Sequence, residues 1–277
     1  MLFRSGGGNL TLNGANTYTG PTVMSGSGQV FFNTIKNIGE GPSSFGAPTT
    51  VESGTITNGS RLGYTGGTAA TDRPIFISAG FNWDVSNSGT TLTLNGNMTS
   101  PNAGPLFRGG GNFVVNGMLD IGSAGVSRTD GGIVYLNCPT NPFTGNIQSS
   151  AGTISITNIA DSGVACAIGK GNSIQLGQNG WYTTGKLQFT GASGGSCNRA
   201  LRVETSTNTL VHGGILENTV AGQTLLLSGT VAPASASLTR NPRLQLVGAG
   251  NGELSGGISR SEEHTPELQS HHDLVCR

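Results

Sequence analysis

The densest group of chemically reactive side chains lies in the last 18 residues, RSEEHTPELQSHHDLVCR, Arg260–Arg277. The segment holds four acids, three histidines and one cysteine: Glu262, Glu263, Glu267, Asp273, His264, His271, His272 and Cys276. Carboxylate, imidazole and thiolate groups are common zinc ligands, and the first two are common general acids and bases. By itself the segment suggests a metal site or a catalytic tail.

In the rest of the chain, the best-placed polar pair is Asp72-Arg73, which precedes the apolar run Pro74–Ser78. Such a pair could bind a saccharide or belong to a lyase site. Alternatively, Asp72 caps a turn while Arg73 lies over the neighbouring backbone. We favour the structural role, because a second copy of this segment keeps Arg199 but has Asn198 in place of the acid.

A few aromatic side chains could stack on sugars: Trp83, Trp181, Tyr18, Tyr64 and Tyr182. Trp83 lies in FNWDV, where apolar and polar residues alternate as in a strand. We therefore expect Trp83 to pack in the core. Asp72, Arg73 and Trp83 remain weak candidates for glycan binding.

Residues 1–259 contain no clear catalytic or metal-binding pattern. Enzymes that cleave polysaccharides need clustered acids, whereas the acids here are isolated: Glu40, Glu52, Asp84, Asp120, Asp130 and Asp161. Cys138, Cys166 and Cys197 form no Cys-x-x-Cys motif, which argues against zinc or redox sites and leaves their disulfide state open. We predict no catalytic residue, no metal and no cofactor.

The composition excludes several classes of protein. Glycine accounts for 47 of 277 residues, more than double its usual share of about 7%, and charged residues make up 10% instead of about 25%. Without residues 260–277, the chain has 14 − 2 = 12 basic and 14 − 4 = 10 acidic residues, spread singly. No basic stripe is present to bind nucleic acid. No apolar run approaches the ~20 residues of a membrane helix.

Short runs of alternating residues recur along the chain, bounded by Gly, Asn and Ser. They include NLTLNG (Asn9–Gly14), GQVFFN (Gly28–Asn33), TTLTLNG (Thr90–Gly96), NFVVNG (Asn112–Gly117), GTISIT (Gly152–Thr157) and TLLLSG (Thr224–Gly229). Period-two alternation predicts strands, and Asn-Gly pairs suit tight turns. Because helical patterning is nearly absent, the sequence predicts an all-β protein with short strands and Gly/Asn turns.

Four sequence motifs recur in the same order, most of them about 125 residues apart. The pairs are Leu2–Gly14 with Leu106–Gly117, Asn16–Gly20 with Asn141–Gly145, Arg61–Ile77 with Lys186–Val203, and Thr91–Gly96 with Thr224–Gly229. We predict a first unit at 1–105 and a second, degenerate unit at 106–259. A parallel β-helix explains short recurring strands better than two sandwiches or an irregular barrel, because each turn stacks on the next.

The segment GGGNLTLNGANTYTGPTVMSGSGQVFF, Gly6–Phe32, resembles the passenger-associated repeat of bacterial autotransporters. SSFG, GYTGGTAATDRPIFI, NWDV and TTLTLNG resemble the longer autotransporter-associated β-strand repeat of large bacterial surface proteins. The second copy departs from this pattern, with NPFTG for NTYTG and Cys197-Asn198-Arg199 for Thr71-Asp72-Arg73. The resemblance implies a right-handed parallel β-helix on the extracellular or outer-membrane surface of a bacterium.

The resemblance also implies a non-enzymatic passenger segment that acts as a rigid stalk or adhesin scaffold. Surface glycans, or a host or neighbouring cell surface, are the expected partners. The alternatives are a glycan-active lyase or hydrolase and a glycan-binding β-helix. Because Leu2-Phe3-Arg4 matches Leu106-Phe107-Arg108, we expect the chain to open inside a repeat and to continue into missing repeats at both ends.

The C-terminal segment has a different explanation from the rest of the chain. RSEEHTPELQS resembles RSEEHTSELQS, the in-frame translation of a common short-read sequencing adapter, and DLVCR resembles its continuation. The match begins where the repeat stops, after Gly252–Ser259. We therefore predict that residues 260–277 are disordered or non-native, and we do not expect a metal site there.

Overall fold

The structure, a computed structural model, describes residues 1–178, 183–204, 213–234, 243–259 and 274–276. These residues form 26 strands and one short helix, α1, Val51–Gly54. The first strands are β1 Leu2–Arg4, β2 Leu10–Leu12, β3 Thr22–Phe32, β4 Ile56–Tyr64, β5 Ala69–Thr71, β6 Ile75–Ile77, β7 Phe81–Val85, β8 Thr91–Leu94, β9 Met98–Thr99, β10 Pro105–Arg108, β11 Asn112–Val115, β12 Leu119–Asp120 and β13 Val126–Arg128. The remaining strands are β14 Ile133–Leu136, β15 Ile147–Ser149, β16 Gly152–Ile156, β17 Ser173–Leu176, β18 Gly185–Phe189, β19 Gly195–Cys197, β20 Ala200–Val203, β21 Gly213–Asn218, β22 Thr224–Leu227, β23 Val231–Pro233, β24 Arg243–Val247, β25 Asn251–Leu254 and β26 Leu274–Cys276.

The strands stack in parallel columns that form the three sides of a β-helix. Side 1 holds β2, the second halves of β3 and β4, and then β7, β10, β13, β15, β17, β20 and β23. Side 2 runs from β5 through β8, β11, β14, β16, β18 and β21 to β24. Side 3 holds β1, the first halves of β3 and β4, β6, β9 and β12, and resumes with β19, β22 and β25. The predicted all-β, parallel β-helix fold is confirmed; its handedness stays a prediction.

The central turns are 21 residues long, and equivalent residues stack directly above each other. The Asn116 side-chain amide donates to Asn95 Oδ1 at 2.8 Å, and the Asn137 amide donates to Asn116 Oδ1 at 2.8 Å. These three asparagines follow β8, β11 and β14, at the turn that leaves side 2. The Asn-Gly pairs at 95–96 and 116–117 therefore end their strands in tight turns. Their asparagine side chains also connect each turn of the β-helix to the next.

Alternate residues of each strand point into a single apolar core. In β11, for example, Phe113 and Val115 are buried, while Asn112 and Val114 are partly exposed. Aromatic rings form a column inside the first turns. The ring centroids of Phe32 and Trp83 are 6.1 Å apart, and those of Trp83 and Phe113 are 6.3 Å apart. The core therefore continues from one turn to the next without a break.

Glycines at the corner between sides 1 and 2 allow the backbones of neighbouring turns to approach closely. A Cβ on Gly132 would overlap the carbonyl oxygen of Gly111 in the preceding turn. Gly152, in the next turn, has a φ of 72°, and a Cβ there would meet the carbonyl oxygens of Asp130 and Gly132. This stacking explains part of the high glycine content.

The strand columns run through residues 105 and 106 without interruption, since β10 pairs with both β7 and β13. Strands that are equivalent in the sequence repeat do not lie on the same side of the β-helix. Each strand of the second copy lies one side further along. β5 and β6 lie on sides 2 and 3, whereas their sequence equivalents β19 and β20 lie on sides 3 and 1. The division into units 1–105 and 106–259 stays a prediction.

Within 260–277, the structure describes residues 274–276, which form β26. This strand pairs antiparallel with β25, placing Gly252 opposite Cys276 and Leu254 opposite Leu274. Because the expectation was a segment that is either disordered or non-native, this pairing does not contradict it. An open edge strand offers unpaired N–H and C=O groups to any extended segment, which is the physical reason for the pairing. The non-native origin of the segment stays a prediction, and its three histidines lie outside the described residues.

Candidate functional site

Asp72 and Arg73 lie between β5 and β6 and contact residues 33–55, which leave the turn between β3 and β4 and which we call the first excursion. The Arg73 side chain is fully buried; its Nε donates to the Gly54 carbonyl oxygen at 2.6 Å and its Nη1 to the Phe45 carbonyl oxygen at 2.6 Å. The exposed Asp72 accepts a hydrogen bond from the Ile38 N–H at 2.8 Å. The pair therefore holds the first excursion against the β-helix.

Burial lowers the pKa of Arg73 to about 10. The guanidinium is therefore still charged at neutral pH, and it donates to backbone carbonyls. Since no part of the side chain reaches solvent, Arg73 offers no cation to a ligand.

A similar arrangement recurs around residues 157–172, the second excursion, between β16 and β17 in the predicted second unit. Asn198 Oδ1 accepts from the Ser162 N–H at 2.8 Å, as Asp72 does from Ile38. The buried Arg199 donates from Nε to the Ala160 carbonyl oxygen at 2.8 Å and from Nη2 to that of Gly169 at 2.7 Å. Asn can replace Asp because the contact needs an acceptor oxygen and no charge, so the repeat supports a structural role for the pair.

A further buried arginine, Arg128, was not singled out in the sequence. Its Nε donates to the Gly132 carbonyl oxygen at 3.1 Å, and its Nη2 donates to the Gly109 carbonyl oxygen at 2.5 Å. Burial lowers its pKa to about 10. The signal was present in β13, where alternation places Arg128 on the same inward face as Val126.

The aromatic candidates Trp83 and Tyr64 do not form an exposed surface on which a sugar could stack. Trp83 is 1% exposed and belongs to the aromatic column of the core, so neither face of its ring is open to a sugar. Tyr64 is also buried, and its hydroxyl donates to the Gly67 carbonyl oxygen at 2.7 Å. Trp181 and Tyr182 lie outside the described residues.

Two aspartates form separate ion pairs beside side 1, and Glu217 pairs with Lys186 on side 2 at 3.0 Å. Asp84 lies 3.7 Å from Arg61, and Asp130 lies 3.5 Å from Arg108. No group of three or more His, Cys, Asp or Glu side chains that could hold a metal ion occurs in the described part of the chain. The thiols of Cys138, Cys166 and Cys197 are free, and the latter two are buried.

A shallow groove with a polar lining opens on the outer surface of the second unit. This polar groove is lined by Ser162, Asn172, Asn198, Ala200, Arg202, Ser228, Gly229 and Thr230. Arg202 projects outward from β20 on side 1 and is exposed. Sequence inspection missed the groove because its residues come from three successive turns. In the sequence, the TLLLSG segment and the Asn198-Arg199 pair were the features that could have indicated this groove.

No protein-family model and no solved structure matches the chain. A comparison with curated proteins finds 28% identity over 243 residues to the adhesin BmaC autotransporter of Brucella suis biovar 1 (strain 1330). The alignment covers 82% of this chain and 6% of that adhesin. The resemblance to autotransporter passengers is thereby confirmed, and it implies an extracellular or outer-membrane surface location. Within the described ranges, no helix has the length and apolarity needed to cross a membrane.

Proposed function

Because the chain is autotransporter-passenger-like, we propose that it is a non-enzymatic segment of a bacterial surface adhesin and acts as a rigid scaffold. The observation that carries this proposal is the unbroken column of side 1, from β2 to β23. Parallel stacking pairs the backbone of each central turn with both neighbouring turns, so bending at one turn would break hydrogen bonds in every strand column that passes through it.

The buried arginines support the same function. Arg73 and Arg199 each join an excursion to the β-helix through two or more backbone carbonyls, and Arg128 joins consecutive corners of side 1. Hydrogen bonds from a charged donor are stronger than neutral ones and lose more when broken in a buried site. These contacts make the loops part of the rigid body.

The placement of the acids argues against the glycan-cleaving alternative. Hydrolysis of a glycosidic bond by the usual mechanism needs two carboxyl groups about 5–10 Å apart across the sugar. Asp84 and Asp130 are each paired with an arginine, and Asp72 caps the first excursion. These three aspartates thus have contacts that maintain structure.

Two measurements on the purified chain test this proposal. Hydrogen exchange should show the amides of sides 1 and 2 opening together, with the amides of residues 33–55 protected to a similar extent. Incubation with a panel of polysaccharides should release no new reducing ends or unsaturated sugars. Turnover that disappears in Asp72→Asn would refute the non-enzymatic function, and independent opening of individual turns would refute the rigid scaffold.

A further inference from the structure

We propose that the polar groove of the second unit is a binding site for an acidic saccharide, with Arg202 contacting its carboxylate or sulfate group. The scaffold function does not depend on this site. The site would give the scaffold a ligand and a defined place on its surface where that ligand binds. An adhesin scaffold displays such a site to solvent, so the proposal extends the proposed function.

Arg202 differs from the other described arginines in having no polar partner for its guanidinium in the described part of the chain. Arg73, Arg128 and Arg199 donate to carbonyl oxygens, and Arg61 and Arg108 face aspartates. In the strand register, Arg202 lies between Gln175 and Ala232 on the outer face of side 1. The small side chain of Ala232 leaves space beside the guanidinium, which is therefore available to a bound anion.

No acid is among the residues that line the groove, and the two acids closest to it in sequence accept hydrogen bonds from residues in or beside its lining. Asp161 Oδ1 accepts from the Asn198 N–H at 2.9 Å, and Glu204 Oε1 accepts from the Gln175 side chain at 2.8 Å. The charged side chain of the lining is thus Arg202, and an anionic group in the groove would meet its exposed guanidinium.

The rest of the lining fits a polyhydroxyl ligand. The lining combines hydroxyl and amide groups from Ser162, Asn172 and Thr230 with the small residues Ala200 and Gly229. A Cβ on Gly229 would overlap the carbonyl oxygen of Arg199, so glycine is required where these two turns stack. Side chains that both donate and accept hydrogen bonds suit sugar hydroxyls, whereas the absence of a large apolar wall disfavours an apolar peptide anchor.

The first unit contains an equivalent segment that lacks the exposed arginine. Phe76 occupies the position equivalent to Arg202, and Asp72 the position equivalent to Asn198. The two segments are therefore equivalent in sequence, lie at different corners of the β-helix and differ in charge: the first carries an exposed carboxylate, and the second carries an exposed guanidinium. We expect an acidic saccharide to bind the second unit and not the first.

The test measures binding of the full 277-residue chain by titration calorimetry to four probes. These are an oligogalacturonate hexasaccharide, a heparin-derived hexasaccharide, neutral maltohexaose and a hexaglutamate peptide. We expect binding to the oligogalacturonate if carboxylates suffice and to the heparin hexasaccharide alone if sulfates are needed, with about tenfold or more weaker binding to maltohexaose, because charge-assisted hydrogen bonds are lost. Binding should weaken as salt screens the exposed charge.

Variants identify the site. Arg202→Ala should weaken binding of the acidic saccharide by about fivefold or more, whereas Lys36→Ala removes an exposed cation of the first excursion and should leave the affinity unchanged. Asn198→Asp keeps an oxygen to accept from Ser162 but brings the charge of the first unit into the groove, and it should also weaken binding. Thermal unfolding of each variant separates a lost site from a lost fold.

Several outcomes would overturn the site: no binding of either acidic saccharide, equal binding of maltohexaose or hexaglutamate, or unchanged affinity in a folded Arg202→Ala variant. None of these results affects the scaffold function, which is tested by hydrogen exchange and needs no ligand. Conversely, independent opening of the turns would refute the scaffold while the groove could still be tested.

Discussion

Replacing Arg73 with methionine tests whether a buried guanidinium holds the first excursion in place. Methionine keeps much of the apolar stem and removes the donors to the carbonyl oxygens of Gly54 and Phe45, both at 2.6 Å. Both Gly54 and Phe45 are buried. The methionine side chain has no hydrogen-bond donor that could replace those of the arginine. The variant therefore isolates the contribution of the charged group.

The expected loss follows from the two broken contacts. A buried acceptor left without a donor costs about 1–3 kcal/mol, so two would cost about 2–6 kcal/mol. Removing a charge whose burial lowers its pKa to about 10 returns part of this free energy. We expect a net loss of about 3 kcal/mol in the free energy of unfolding.

Urea denaturation followed by far-ultraviolet circular dichroism measures the loss, and hydrogen exchange shows where it occurs. Amides of residues 33–55 should lose protection before those of side 1. Arg61→Met is the matched control, because Arg61 is partly exposed and lies 3.7 Å from Asp84. An exposed pair of this kind contributes about 0–1 kcal/mol.

The Asp72→Asn variant provides a second comparison, since Asn198 makes the equivalent contact in the second unit. It should change the stability by less than about 1 kcal/mol, because an amide oxygen can accept the same hydrogen bond. If Arg73→Met proves as stable as Arg61→Met, with unchanged protection of 33–55, the structural role assigned to Arg73 is wrong.

Two further predictions concern the corners of the β-helix and its pH dependence. Gly132→Ala should destabilise the chain by about 1–3 kcal/mol or more, because the new Cβ overlaps the Gly111 carbonyl oxygen, whereas a Cβ on Gly131 has no heavy atom within 4 Å; equal melting temperatures for Gly132→Ala and Gly131→Ala would contradict the close stacking. Burial raises the pKa of Glu204, so the folded state binds its proton more tightly than the unfolded state. Stability from this group should rise as pH falls through the raised pKa towards the ordinary value of about 4.3, and Glu204→Gln should lack that rise in thermal scans.

Much of the fold could be predicted from local sequence. Alternating runs such as Asn112–Gly117 have two faces, and stacking them buries one face of every strand. Asn-Gly pairs favour the tight turns that end such strands. The recurring Asn16–Gly20 and Asn141–Gly145 motifs also have equivalent contacts in the structure, with antiparallel bridges from Asn16 to Ser43 and from Asn141 to Cys166.

The candidate site was less accessible to sequence analysis. Asp72 and Arg73 contact the backbone of the first excursion, and Trp83 is buried in the core, whereas the role of these residues in glycan binding stays a prediction. The burial of Arg128 and the grouping of Ser162 with Thr230 were missed. A single polar residue within an alternating run does not show whether backbone carbonyls will surround it.

The sequence by itself determined the class of fold, because period-two alternation, glycine-rich turns and internal repeats act over a few residues each. Tertiary structure decided which polar groups are buried and which meet at the surface. The groove joins Ser162, Asn198 and Thr230, which are separated by more than 30 residues along the chain. Their meeting depends on how many residues each turn contains, and the excursions change that number from turn to turn.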